Sequence, residues 1–317
     1  MERGEPMVDR RHLLRLAAAL PLLHSMPTLA QDEGASLVDK LANFWPVYDD
    51  TRHIEDRVHA LRDGFFAPER SLFRAADINI SVARLEAWLP DFDKIADDVR
   101  HLHGRFAAAW ARHQAHFEKA FPDFLPDAAP VYVMLSLGDF DAHLEPRKGR
   151  LPLYLGLDGI VQYHGANADL AVLLDHESFH LYQGQANPKL SLDRRPPLFA
   201  TLWLEGTAIW VSELLNPQVK SLAVLLNDIP LARAQPDVIR RAASALLERL
   251  DSRSDKDADR FFGAGYEGKE PARIGYLLGL QIARGLSGRY TPPALARIDR
   301  MRARELCAEG LRAIIKR

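Results

Sequence analysis

Hydrophobic positions along this chain change period twice. Over residues 35–125 they recur at helical spacing. Val58, Leu61, Phe65 and Phe66 mark one stripe, and Ile95, Val99, Leu102 and Phe106 mark another. Gly64 and Pro68 punctuate the first pair of predicted helices, and Pro90 predicts an interruption in the next. Near residue 131 the period drops to two. Val131, Val133, Leu135 and Leu137 alternate on one side of a segment rich in β-formers. Residues 138–150 are polar and turn-like. Residues 151–157 read as a second short strand, with 160–163 extending or following it. These runs predict a small, mainly antiparallel sheet rather than a βαβ array.

The helical period then returns. Residues 168–182 place Leu170, Leu173 and Leu174 on one stripe, and Asn167 or Asp169 is available as the N-cap. Asn187-Pro188 and Arg194-Arg195-Pro196-Pro197 mark a loop. Residues 198–215 read as a helix stopped by Asn216-Pro217. Further helices are predicted at 219–227, 236–250, 271–287 and 293–315, with 251–259 a polar connector. There is no internal repeat. The pattern is α+β and predominantly α, with a helical region over 31–125 and a second domain over 126–317.

Residues 1–30 read differently, as an export signal. Arg10-Arg11 precede Leu13-Leu14 and an apolar run over 16–23, and Thr28-Leu29-Ala30 puts small residues where a signal peptidase cleaves. The paired arginines point to the twin-arginine route and so to the periplasm. A disordered or amphipathic extension is the other reading. Arg15 makes the run a poor membrane span, and no other segment approaches the required length, so no stable span is expected in the mature chain. Cleavage would remove four arginines and three acids, taking the formal net charge from −2 to −3. The single cysteine, Cys307, excludes an intrachain disulfide and a cysteine-rich metal site, which suits an exported fold stable without disulfides. With 26% charged residues and no basic run interleaved with aromatics, nothing points to nucleic acid as a partner. A chain of 317 residues, 47% hydrophobic, can bury a large core or two packed lobes.

Within the helix at 168–182 stands His176-Glu177-Ser178-Phe179-His180, the pattern H-E-x-x-H. Residues four apart share a helix face. Two imidazoles one turn apart can grip one zinc ion, with Glu177 left to handle a zinc-bound water. Two histidines and a glutamate in a semi-buried setting are costly unless something satisfies them, and a metal does so. Surface histidines that happen to lie four apart are the bland alternative.

Hydrolytic zinc takes three protein ligands and one open position. Glu205 is the candidate for the third. It is the lone carboxylate in the middle of the apolar segment Leu202-Trp203-Leu204-Glu205-Gly206-Thr207-Ala208-Ile209-Trp210, and such an acid should be paired, protonated or metal-bound. A carboxylate that snorkels or pairs with an arginine is the alternative. Gly206 weakens the helix, which is reasonable where two helices approach closely. Glu213 is the runner-up ligand, with His164 and His143 weaker options. His101, His103, His113 and His116 read as solvated helix-surface residues, because no carboxylate joins them in a ligand spacing.

These residues carry a resemblance. H-E-x-x-H, followed some 25 residues later by a helix with W-x-E-G-x-A, resembles the gluzincin metallopeptidases, and more narrowly the exported bacterial predicted zinc-dependent proteases. Arg273-Ile274-Gly275-Tyr276-Leu277-Leu278-Gly279 is similar to a G-Y-x-x-G segment common in that group. The resemblance covers roughly 130–290. It implies a zincin-like fold, with the small sheet packed on the H-E-x-x-H helix, and one zinc per chain held by His176, His180 and Glu205. It also places Tyr276 near the metal as an oxyanion donor, and Arg273, one turn earlier, can bind a substrate carboxylate. One departure stands out. Many gluzincins carry an aspartate four residues after the ligand glutamate, orienting a zinc-bound histidine, and here that position is Ile209. The orienting role then passes to another group, with Asp175 and Glu213 as candidates, or is absent.

The expected reaction is zinc-dependent peptide-bond hydrolysis. Glu177 takes the proton of the water and passes it to the leaving amine, and a second donor steadies the oxyanion. The 151–157 strand is the expected edge for an extended peptide or protein substrate. Tyr182 and Trp203 flank the cleft or sit in the core. Two rival readings remain: a catalytically weak or inactive scaffold that binds a peptide or cell-envelope partner, and a metallohydrolase of non-peptide substrates. Glu177 favours catalysis, because neither a structural zinc site nor a binding scaffold requires it.

Overall fold

The computed structural model describes residues 37–317 apart from 148, 168, 226 and 227. The predicted export signal at 1–30 lies outside the described residues. The described chain divides into two compact units, 37–192 and 193–317.

The 37–192 unit begins with strand β1 (Leu37–Asp39) and helices α1 (Leu41–Asp50), α2 (Arg57–Leu61) and α3 (Arg70–Ala75). A single π-wound turn, Arg62–Phe66, prolongs α2. Helix α4 (Val82–Ala120) follows, with Ser81 capping it through a hydrogen bond from the Arg84 amide. Its 39 residues span about 58 Å at 1.5 Å per residue. Pro90 does not interrupt it. The proline ring removes the hydrogen bond to the Glu86 carbonyl, but Pro90 is on the exposed side, where water can take that carbonyl.

The buried face of α4 recurs every three or four residues, through Leu85, Trp88, Phe92, Val99, Leu102, Phe106, Trp110, His113 and Phe117. Its first half closes an aromatic cluster with Phe44, Tyr48, Phe65, Phe66 and Phe73, whose rings meet mostly edge to face. Its second half continues into Phe121, which stacks on Phe117 and meets Phe179 and Tyr182.

Strands β2 (Val131–Met134), β3 (Ala142–Leu144) and β4 (Leu153–Gly156) complete a sheet in the order β1-β2-β4-β3. The sheet is mixed, not mainly antiparallel: β1 and β4 both run parallel to β2, and only β3 is antiparallel to its neighbour. Period two within a segment reports which face is buried, whereas direction depends on which distant strand it meets, and three-residue β1 is too short to announce itself. The segment after β4 is helical, α5 (Leu157–His164), rather than an extension of the strand. Leu157, Ile160 and Val161 are buried together at helical spacing.

Helix α6 (Leu170–Ala186) carries H-E-x-x-H, and Asp169 caps it by accepting from the Ala171 amide at 3.0 Å. It is buried almost all round. Its main partner is α4 rather than the sheet. Short α7 (Pro188–Ser191) ends the unit. The boundary expected between 125 and 126 therefore falls inside this unit. Helix α4 packs on α5 and α6, and β1 pairs with β2, so segments on both sides of residue 125 share one core.

The 193–317 unit is helical. It comprises α8 (Leu198–Leu215), α9 (Ser221–Val224), α10 (Ile229–Ala232), α11 (Pro236–Leu247), α12 (Asp255–Phe262), α13 (Ile274–Leu286), α14 (Pro292–Ala296) and α15 (Arg300–Ile315). The polar connector expected over 251–259 gives way to α12 at Asp255. Its strongly one-sided pattern buries Phe261 and Phe262 and leaves the acids outside. With 18 apolar-rich residues, α8 is long and apolar enough to cross a membrane by length and composition, contrary to expectation. Most of it is buried, against α13, α14 and α15. Helices α8 and α13 touch backbone to backbone. A Cβ on Gly279 would stand 2.7 Å from both the Gly206 Cα and the Leu202 carbonyl oxygen. Gly206 thus allows the close approach its position implies.

Candidate metal centre

His176 and His180 lie one turn apart on α6, and their Nε2 atoms face each other at 3.0 Å. The rings meet edge to face with centroids 4.7 Å apart. Both side chains are buried, as is Glu177 between them. Two nitrogens bound to one tetrahedral zinc at about 2.05 Å stand roughly 3.3 Å apart. The observed separation is within a few tenths of an ångström of that, so the pair fits one zinc ion with a small ring rotation.

A second hydrogen bond fixes the chemistry of His180. Its Nδ1 is 2.8 Å from the Gln183 Oε1, one turn further along α6, and Gln183 is itself buried. An amide oxygen only accepts, so this bond forms in the tautomer whose Nδ1 carries the proton. In the neutral ring Nε2 then presents its lone pair toward His176. No motif marks Gln183 in the sequence, but a residue three after the second histidine shares its helix face.

His113 differs from the solvated surface residue its sequence setting predicts. It is buried, not solvated, and it locks α4 to the motif helix. Its Nδ1 lies 3.1 Å from Asp175 Oδ1, and its Nε2 lies 2.7 Å from Ser178 Oγ. One imidazole thus engages the residue before the motif and the first variable residue within it. Asp175, a candidate to orient a ligand histidine, lies beside His113. His101 and His116 are exposed as expected. His103 is half-buried, accepting at Nδ1 from Trp45 Nε1 at 3.0 Å and facing Asp39 through Nε2.

Glu205 stands in the middle of α8, half-buried beside Gly206. Glu205 belongs to the 193–317 unit, whereas both histidines belong to the 37–192 unit. Glu213, the runner-up, is bonded by both Nε and NH2 of Arg284 on α13, an ion pair that occupies both of its oxygens. His164 Nε2 is 2.7 Å from Asp141 Oδ2. His143 lies within the sheet, its ring against Tyr154 and Phe140. Burial pushes its imidazole pKa down, and its Nε2 is 4.0 Å from Glu145.

Tyr276 sits in the first turn of α13, three residues before Gly279, and its ring meets Phe262 edge to face. Arg273, immediately before α13, has a left-handed backbone (φ 58°). Its guanidinium donates to Asp228 Oδ2 at 2.7 Å, and Asp228 also caps α10 through the Leu231 amide. A substrate carboxylate would share Arg273 with Asp228. Tyr182 and Trp203 are core residues, and Tyr182 donates to Asp123 at 2.9 Å. The chain matches no family model, no curated protein and no solved structure.

Proposed function

We propose that this protein is a gluzincin-like zinc peptidase in which His176, His180 and Glu205 hold one zinc ion and Glu177 acts as the base. The observation that carries the reading is the pair of buried Nε2 atoms at 3.0 Å, with the Nδ1 of His180 turned to the Gln183 amide oxygen. Glu205, the lone carboxylate in the middle of α8, is a third donor of the type hydrolytic zinc accepts. When bound, zinc supplies Lewis acidity toward a peptide carbonyl and toward water.

Glu177, next to His176 on α6, takes a proton from the attacking water and delivers it to the leaving amine nitrogen. The Tyr276 hydroxyl donates to the developing oxyanion. The 151–157 segment offers no free edge, because β4 is paired on both sides; an extended peptide would add to β3, one of the two terminal strands of the sheet.

Metal analysis of purified protein is expected to find close to one zinc per chain, and Glu205→Ala to weaken its retention. Glu177→Gln is expected to keep the zinc and to lose peptide cleavage by a factor of about 10² to 10⁴. No zinc after gentle purification would end the metallopeptidase reading. Zinc without peptide cleavage in the wild type would favour the binding scaffold. Cleavage confined to esters or other non-peptide substrates would favour the broader hydrolase.

A further inference from the structure

The structure assigns to Gln183 the orienting role that Ile209 cannot play: it is the positioning residue that holds His180 in the tautomer able to ligate through Nε2. This inference rests on the zinc reading for its consequence, and on hydrogen-bond geometry alone for its cause.

A neutral imidazole has two tautomers, and only the nitrogen without a proton can bind a metal. Nε2 of His180 is the atom turned toward His176, so ligation requires the proton on Nδ1. Gln183 Oε1 stands 2.8 Å from that Nδ1. Both residues are buried, with Gln183 only 1% exposed, so water does not compete freely for the bond. They share one rigid helix three residues apart, which fixes the direction of approach without help from any other element. Of the two other candidates for this role, Glu213 is held by Arg284, and Asp175 lies beside His113.

The acceptor is neutral. A carboxylate in the same place would add negative charge behind the ring and raise its basicity, whereas an amide fixes the tautomer without adding charge. The centre is thereby spared a further acid beside Glu177 and Glu205. Glutamate at 183 should then hold zinc at least as tightly as glutamine, and leucine, similar in volume but with no acceptor, should hold it less tightly.

The test has two arms. The first needs no metal. In ¹⁵N-labelled, zinc-free wild-type protein, the His180 ring nitrogens should give the Nδ1–H pattern, and Gln183→Leu should shift the ring toward Nε2–H. The second arm measures zinc dissociation constants against a chromophoric chelator. Gln183→Leu should bind about 10- to 100-fold more weakly than wild type, the usual range for loss of such a partner. Gln183→Glu should restore wild-type affinity or exceed it. An Nε2–H pattern in the wild type would overturn the assignment whether or not zinc binds. So would a folded Gln183→Leu variant with unaltered zinc affinity. Should the wild type take up no zinc at all, the peptidase reading fails while the tautomer measurement still decides the role of Gln183.

Discussion

The 37–192 unit pairs histidine in two ways. His164 faces a carboxylate, with its Nε2 2.7 Å from Asp141 Oδ2. His180 faces another imidazole, Nε2 to Nε2 at 3.0 Å. The first arrangement is closed. Burial pushes the Asp141 carboxyl upward, yet the hydrogen bond and positive charge of His164 outweigh it and hold that carboxyl below the usual range. In the second arrangement Gln183 aims a lone pair, not a charge, across a 3.0 Å gap at a second nitrogen. A cation completes such a pair. Burial of a histidine therefore says little by itself, and the chemistry turns on what its inward nitrogen meets.

The sharpest way to break this distinction is to remove one ring from each pair. His180→Ala should take the zinc content from near one per chain to none measurable, and His176→Ala should do the same. His164→Ala should leave it near one, although His164 is also a plausible ligand by residue type. Metal analysis after gel filtration decides. Equal zinc loss in both kinds of variant would mean that the metal reports folding of the unit and not the facing imidazoles.

What was legible in the sequence follows the same line between local and non-local causes. The placing of His176, Glu177 and His180 is a property of one helix turn, so the period alone fixed it. Gly206 was legible as a close approach because a glycine inside an apolar helix has few other uses. Helix α8 ended where Asn216-Pro217 predicted. Sheet direction was not legible, because the partner of β2 on one side is three residues of β1 more than 90 positions away. His113 was legible and passed over. It continues the stripe Phe106, Trp110, His113, Phe117, and a polar residue on an apolar stripe is a buried one with a partner. Pro90 misled for the opposite reason. A proline removes one hydrogen bond, and the apolar face of a 39-residue helix outweighs that loss when the ring lies on the exposed side.

The closed pair makes the next largest prediction. Removing His164 leaves the Asp141 carboxylate largely buried without its counter-charge, and an uncompensated charge of that kind costs about 3 kcal/mol. His164→Ala should therefore lower the urea midpoint clearly, as followed by circular dichroism. The double variant His164→Leu with Asp141→Leu should recover part of that loss, because no charge is then stranded. A double variant worse than the sum of the two single ones would show that the pair is not self-contained.

The smallest effect is in acid. The folded Asp141 carboxyl titrates below its unfolded value of about 3.9. Above that value the carboxylate is charged in both states, and its contribution to stability is fully present. As pH falls through about 4, the unfolded chain takes up a proton that the folded state still refuses, so stability drops, by at most about 1.4 kcal/mol per pH unit for one group. The loss is complete once pH passes below the folded value. Asp141→Asn has no proton to take up at this site. Between pH 5 and 3, with a chelator present so that metal release plays no part, its unfolding free energy should fall less steeply than that of the wild type. Other carboxyls held low by ion pairs, such as Asp39 and Asp193, contribute equally to both proteins and cancel in the difference. Parallel pH profiles would mean that the Asp141–His164 pair adds no acid-side stability and differs from the facing imidazoles in geometry alone.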